Sequence, residues 1–423
     1  MERRKKNGIY TLRIILMLCV LICTIGVMKD NVYAAIIETD AAAPAAGNIF
    51  IGIEGSYAGD AQAALDRINE IRREACAEGI INPHTNQPLT MDDYVPVKWS
   101  AGLEYIARIR AAESSLTMEH TRTNGERCFA ISSPEGISGN YEDLAWNWSS
   151  GMVSGIEQWY EEKADWVNKT GAVTGHYTSM INPNVTYIGV ASFQTKQAIY
   201  PNTIAAQFAS DSWLTWKGIS PNTVDETMAA PIRDCTQLLE VPASWIEKLS
   251  VSAEIEKGKT EHVYGVHENR KYGLYHHTWQ TSNPAVIDVD EFGNITAVQV
   301  GTAVITAVDA SGNTTAEANV NVTEPKTVTK SAKTVINRLS SQKSGIKVTW
   351  KKQNADGYQV RYAANKNFKS YRSKSISKGS ITSTTLKNLK KGKSYYVKVR
   401  AYKLDENGKK IYGTFSRVKK IKY

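Results

Sequence analysis

The chain has 423 residues, 42% of them apolar and 22% charged, with a net charge of +9 and a pI near 9.0. That length exceeds what one hydrophobic core supports and leaves room for roughly three domains. The composition is that of a globular protein rather than a disordered or multi-span membrane chain.

Arg3, Arg4, Lys5 and Lys6 form a basic head, Ile14 to Val27 is an almost unbroken apolar run, and Val32-Tyr33-Ala34 supplies small residues at a signal-peptidase site. Residues 1–34 therefore read as a secretory signal peptide, the run being short for a bilayer span. No second apolar segment follows, so the mature chain is expected outside the cell with no transmembrane segment. Three cysteines remain after processing: Cys76, Cys128 and Cys235. An odd, small number is not a disulfide scaffold and leaves at least one thiol unpaired in a monomer.

Residues 35–59, rich in Ala, Gly and Pro without a period, read as a linker. From Asp60 the pattern turns helical: Leu65, Ile68, Ile71 and Ala75 recur every three or four residues, and Gly79 is placed to stop the helix. Ser100 is a cap for a second helix carrying Leu103, Ile106, Ala107 and Ala111. A third helix places Met152, Ile156, Trp159 and Lys163 along one face. His176 sits at a Gly turn, and strands are expected at Tyr187–Phe193 and Ile204–Ala209. Helices followed by strands within about 150 residues give an α+β layered domain over 60–215. Residues 216–244 show no clear period and read as a second linker. Beyond them, over 245–323 and 327–423, short apolar runs alternate with turn residues, as in two all-β sandwiches. From Lys326 onward the only acidic residues are Asp356, Asp405 and Glu406 amid many lysines. Such a domain suits an anionic surface; no nucleic-acid recognition motif accompanies the charge, so no nucleic acid is expected as partner.

Met118-Glu119-His120-Thr121-Arg122, Tyr141-Glu142-Asp143, Trp159-Tyr160-Glu161-Glu162 and Gly175-His176-Tyr177-Thr178 stand in an order and spacing that resembles the CAP superfamily: cysteine-rich secretory proteins, antigen 5 and pathogenesis-related 1 proteins. The resemblance implies an α-β-α sandwich whose cleft is lined by His120, Glu142, Glu162 and His176. Tyr141 and Asp143 stand where the family's glutamate motif has Gly and Asn. Met180-Ile181-Asn182-Pro183 after the histidine motif is similar to the bacterial branch. Within that domain Cys76 and Cys128 are the expected disulfide. Residues 279–307 resemble a bacterial Ig-like domain of group 2. Leu389 and Tyr395 match the tyrosine-corner region of fibronectin type III modules.

Two neutral imidazoles, His120 and His176, can hold zinc or another divalent cation with positions left open. Glu142 or Glu162 would then serve as general base on bound water, or merely hold an imidazole in one tautomer. The plainer alternative is a polar cleft whose groups satisfy one another. Ser179 near His176 is a weak nucleophile–base pair, and His262, His267, His276 and His277 are explained as well by exposed β-turns. The resemblance implies a secreted or surface-associated binding protein, taking a small apolar ligand or a cell-wall or matrix polymer, with β-sandwich modules as spacers or adhesins. The competing expectation is a metal-assisted extracellular hydrolase of protease, cell-wall or nuclease type.

Overall fold

The computed structural model describes residues 35–325, 329–405 and 408–423; the signal-peptide reading lies outside them. Strands β1 (Ala35–Ile37) and β2 (Asn48–Tyr57) come first, then helix α1 (Ala61–Glu78), strand β3 (Lys98–Trp99) and helix α2 (Ala101–Thr117). Strand β4 (Tyr141–Asn147), helices α3 (Val153–Tyr160), α4 (Lys163–Asn168) and α5 (Gly175–Ile181), and strands β5 (Tyr187–Gln194) and β6 (Asn202–Ala209) follow. Helix α6 (Asp211–Trp216) and strand β7 (Ile232–Pro242) complete this part.

The helix signals act as expected. Gly79 adopts φ 66° beyond α1, and its N–H reaches back to the last turn. The Ser100 hydroxyl accepts from the Leu103 N–H at 3.3 Å at the head of α2. Antiparallel pairing runs β4–β6–β5, with Glu142 opposite Gln207 and Gly189 opposite the same Gln207. Helix α2 packs on one face of this sheet against β5 and β6, while α1, α3 and α5 pack together on the other. The result is an α-β-α sandwich with β4 at its edge. Gly189 lets α2 lie directly on β5: a Cβ there would stand 2.1 Å from the Glu104 backbone nitrogen.

Both stretches expected as linkers carry strands. Residues Ile49, Phe50, Ile51 and Ile53 of β2 are fully buried, and β2 pairs with β7 along most of its length. Gly52 and Gly55 gave β2 the look of a connection. Strand β7 hides its period because two of its inward groups are polar. The Gln237 amide donates to the carbonyl oxygens of Ile37 and Glu38, and the Glu240 carboxylate accepts from Ala45 N–H and Asn48. The third expected helix is split, α3 ending before Glu161–Glu162 and α4 starting at Lys163.

After β7 the strand Arg270–Tyr275 pairs with β2 (Gly273 opposite Gly52, Leu274 opposite Ile51), so the sheet continues into the next part of the chain. Strands Tyr264–His267 and Lys248–Ser250 extend that sheet further, and the other strands of 245–323 form a three-stranded and a four-stranded sheet. One apolar core runs from beneath α2, through β2 and β7, to Trp279, Ile305 and Val322. Residues from Ile336 onward form a three-stranded and a five-stranded sheet around their own core, including Trp350, Tyr358 and Val399. There the Tyr395 hydroxyl accepts from the Lys390 N–H at 2.8 Å, which is the bond expected of a tyrosine corner.

Candidate functional site

Strand residues alternate between faces, so the neighbours Glu142 and Asp143 of edge strand β4 serve opposite helical layers. Glu142 faces α2. Its side chain has no exposed surface, and both carboxylate oxygens are engaged. Oε2 accepts from Arg110 Nε at 2.7 Å and from Gln207 Nε2 at 2.6 Å. Oε1 accepts from Arg110 Nη2 at 3.1 Å and from His120 Nδ1 at 2.8 Å. Burial pushes the Glu142 carboxyl upward, but the hydrogen bonds from His120 and Arg110 and the guanidinium charge hold it below its usual value.

Arg110 is itself buried on α2. It donates 2.5 Å to Glu113, and Glu113 in turn meets Arg122 at 2.8 Å. Arg122 closes the chain with a two-pronged contact to Asp40 at 2.6 and 2.9 Å. A line of alternating charges, buried except at its Asp40 end, thus runs from the segment before β2 to the His120 loop. Arg110 also donates 2.9 Å to the His120 carbonyl oxygen, fixing the backbone of the loop that carries the ring.

On the other face His176 opens α5. The Gly turn expected there is the first turn of a helix, and Tyr177, Met180 and Ile181 bury its inner side. His176 Nδ1 lies 2.5 Å from Glu162 Oε1, and Glu162 Oε2 accepts the Tyr177 N–H at 3.1 Å. Glu162 is placed for this by the break between α3 and α4. Trp159 stacks beside the His176 ring, centroids 6.3 Å apart, and its indole N–H donates to the Leu144 carbonyl oxygen at 2.9 Å.

A carboxylate only accepts hydrogen bonds. In its neutral form each imidazole therefore carries the proton on Nδ1 and presents the Nε2 lone pair. Each histidine expected for the cleft is joined to its own glutamate, His120 to Glu142 and His176 to Glu162. The ligand atoms of three potential metal-binding side chains that come within 4.8 Å of one another, among the described residues, belong to His120, Cys128 and Glu142; His176 is not in that group. That trio is a poor cage. Burial, with Glu142 alongside, pushes the Cys128 thiol up to about 11, so it stays protonated, and the lone pairs of Glu142 are already used.

The expected Cys76–Cys128 disulfide is absent. Cys76, Cys128 and Cys235 are free and buried, Cys76 within the core under α1 and Cys128 beside Glu142. Sharing a domain does not bring two cysteines within bridging distance. The Ser179 hydroxyl donates 2.8 Å to the Gly175 carbonyl oxygen rather than engaging His176. His262 and His267 bond to Asn294 and to the Trp245 carbonyl oxygen, as ordinary strand-end histidines.

Arg110 and Gln207 belong to the site and were not singled out by sequence, while Cys128 was read only as a disulfide partner and Asp143 only as a departure from the family's glutamate motif. The available signal was Arg110 with Glu113, opposite charges three residues apart on one helix. Asp143 is buried, with Oδ2 lacking any partner, and burial raises its carboxyl well above the usual range despite the nearby Ser179 hydroxyl.

Residues 65–210, with this geometry, match the family model described as CAP, Cysteine-rich secretory protein family. The chain carries a CAP domain. Residues 334–413 match the fibronectin type III domain model, so the CAP domain is followed by β-sheet domains of which one is fibronectin-like. No curated protein matches the chain. Similar solved structures include an FN3 domain of human collagen XX, 22% identical over 23% of this chain and 97% of that one, TM-score 0.18. Another, titled "Myokine structure", is 16% identical with the same coverage and a TM-score of 0.17. Both domain types are typical of extracellular proteins, and no helix among the described residues is long and apolar enough to cross a membrane.

Proposed function

We propose that the CAP domain is an extracellular binding module whose cleft presents the Nε2 atoms of His120 and His176 to a ligand, with zinc or a similar divalent cation as their partner. The observation that carries this reading is the pairing of each Nδ1 with a glutamate. A carboxylate behind an imidazole fixes the tautomer and raises the basicity of the other nitrogen, as it does for metal-binding histidines. The geometry favours binding over turnover. A hydrolase needs a carboxylate free to take a proton from water; Glu142 has its lone pairs filled by four hydrogen bonds, and each oxygen of Glu162 already accepts one. Met118 and Phe129, on the loop flanking His120, are exposed apolar side chains that suit a small apolar ligand. In this reading residues 245–323 are an Ig-like spacer, and the basic domain beyond holds the secreted protein on an anionic wall or matrix polymer.

Titration calorimetry of the purified protein with zinc tests the proposal. Stoichiometric binding is expected, abolished in the His120→Ala/His176→Ala variant and retained in Ser179→Ala. A wild-type protein that takes up no zinc would remove the metal from the reading. Protection from thermal unfolding by a fatty acid, unchanged in the double-histidine variant, would then show a metal-free apolar cleft.

A further inference from the structure

One face of the five-stranded sheet in the fibronectin-like domain gathers cations without counter-charges. Strands Gly357–Ala363 and Ser394–Leu404 are antiparallel neighbours, and Arg361 lies directly across from Lys398, with Gln359 across from Arg400. Like charges facing each other in a ladder destabilise a sheet. An acidic neighbour would relieve this, yet none of the three cations has an ion pair among the described residues. Desolvation and the mutual repulsion of these groups lower the proton affinity of both Lys398 and Arg400.

Aromatic rings hold the three cations instead. Phe415 lies beneath all of them, with Arg400, Lys398 and Arg361 at 4.4, 4.6 and 5.0 Å from its centroid. Tyr371 takes Arg361 at 4.4 Å, Tyr412 takes Arg400 at 3.7 Å and Phe368 takes Lys398 at 4.1 Å. A ring fixes a cation's position and leaves its charge unspent; Arg400 is steadied further by its Nε–H donating to Gln359 Oε1 at 2.8 Å. Arg361 Nε has no hydrogen-bond partner. Ordering these side chains in advance lowers the entropic cost of meeting an anion.

From this we infer that the face formed by Arg361, Lys398 and Arg400 is a docking site for an anionic polysaccharide. The inference rests on reading the basic domain as the part that holds the protein on an anionic polymer, and it names the face and the ligand class. Cross-strand neighbours stand about 5 Å apart and alternate residues of one strand about 7 Å, a spacing that meets a charged group on each successive sugar of an extended chain. Single-stranded nucleic acid reads aromatic faces that are open to stack on bases; here each ring already carries a cation over one face.

The test compares full-length wild type with two triple variants of equal charge. One is Arg361→Gln/Lys398→Gln/Arg400→Gln. The other is Lys343→Gln/Lys352→Gln/Lys378→Gln, which leaves the face intact. Binding to immobilised polygalacturonate and dextran sulfate is measured against salt, beside neutral dextran, phosphatidylglycerol vesicles and single-stranded DNA. The face variant should lose about tenfold or more in affinity and flatten the salt slope by two to three, while the control changes by less than about threefold. Equal losses in both variants would overturn the face but leave the basic domain as the anchor. No retention of wild type on any anionic probe would overturn the anchor reading itself. Tighter, face-dependent binding to vesicles or DNA would overturn the polysaccharide. Should the face variant fold poorly, amine modification of wild type decides. Bound polysaccharide must shield Lys398 and spare Lys343 and Lys378; the reverse pattern overturns the assignment.

Discussion

Glu142 and Arg110 are both without exposed side-chain surface, and two hydrogen bonds join them. Removing one member of a buried pair leaves the other charge uncompensated, at a cost of about 3–5 kcal/mol. Arg110→Met should therefore destabilise the protein by about that amount in urea unfolding; a change under about 1 kcal/mol would show that the pair contributes little. Because the Glu142 carboxyl lies below its ordinary 4.5, its contribution is complete above that pH and fades as pH falls below it. Asp143 has the opposite sign. Its carboxyl is raised far above 3.8, so the unfolded chain gives up the proton first, and stability falls as pH climbs from 3.8 toward the folded-state value. Asp143→Asn should accordingly stabilise the protein at pH 7 by on the order of 1 kcal/mol or more, the gain vanishing below about pH 3.8. A variant less stable than wild type at both pH values would mean that the buried carboxyl has an unseen partner. Histidines and glutamates at motif positions were readable because their spacing is held by the chain. Their supports were not: Gln207 and Arg110 come to Glu142 from another strand and another helix, and only the folded sheet brings them together.

At the scale of elements, the approach of α2 to the sheet decides where Arg110 and the His120 loop stand. That approach depends on Gly189, since an added Cβ would meet the backbone of Leu103 and Glu104 rather than a movable side-chain end. Gly189→Ala should cost about 3 kcal/mol or more, read as a fall in the urea midpoint. Gly175→Ala, where a Cβ meets nothing within 4 Å, is the matched control and should cost well under 1 kcal/mol. Equal effects would sink the close-packing account. Helices α1 and α2 were legible because one face is apolar at helical spacing and their ends carry Gly79 and Ser100. Strands β2 and β7 were not. Both are covered on two sides, so they lack alternation, and glycines in β2 and buried Gln237 and Glu240 in β7 imitate the composition of a connection.

The same two strands determine how the whole molecule holds together. β2 hydrogen-bonds with Arg270–Tyr275 at Phe50, Ile51 and Gly52, and the apolar core beneath α2 continues without a break to Val320 and Val322. The segment expected as a separate Ig-like domain therefore shares both a sheet and a core with the CAP domain, whereas the fibronectin-like part closes its own core. Two truncations separate these cases. A chain ending at residue 325 keeps every contact of the shared core and should melt within about 2 °C of the corresponding transition in the full protein. A chain ending at residue 244 loses the partner strand of β2 and exposes part of the core. For a unit of this size 1 kcal/mol is worth roughly 2–4 °C, so the loss of several buried side chains should lower the melting temperature by about 10 °C or more. Scanning calorimetry distinguishes the outcomes. If the chain ending at 244 melts like the longer one, the pairing of β2 with Arg270–Tyr275 is dispensable, and the CAP domain closes its core without it. If it melts far lower, the site at the β4 edge is rigid only while the following β-domain is attached, and ligand affinity at His120 and His176 should fall in the same truncated chain.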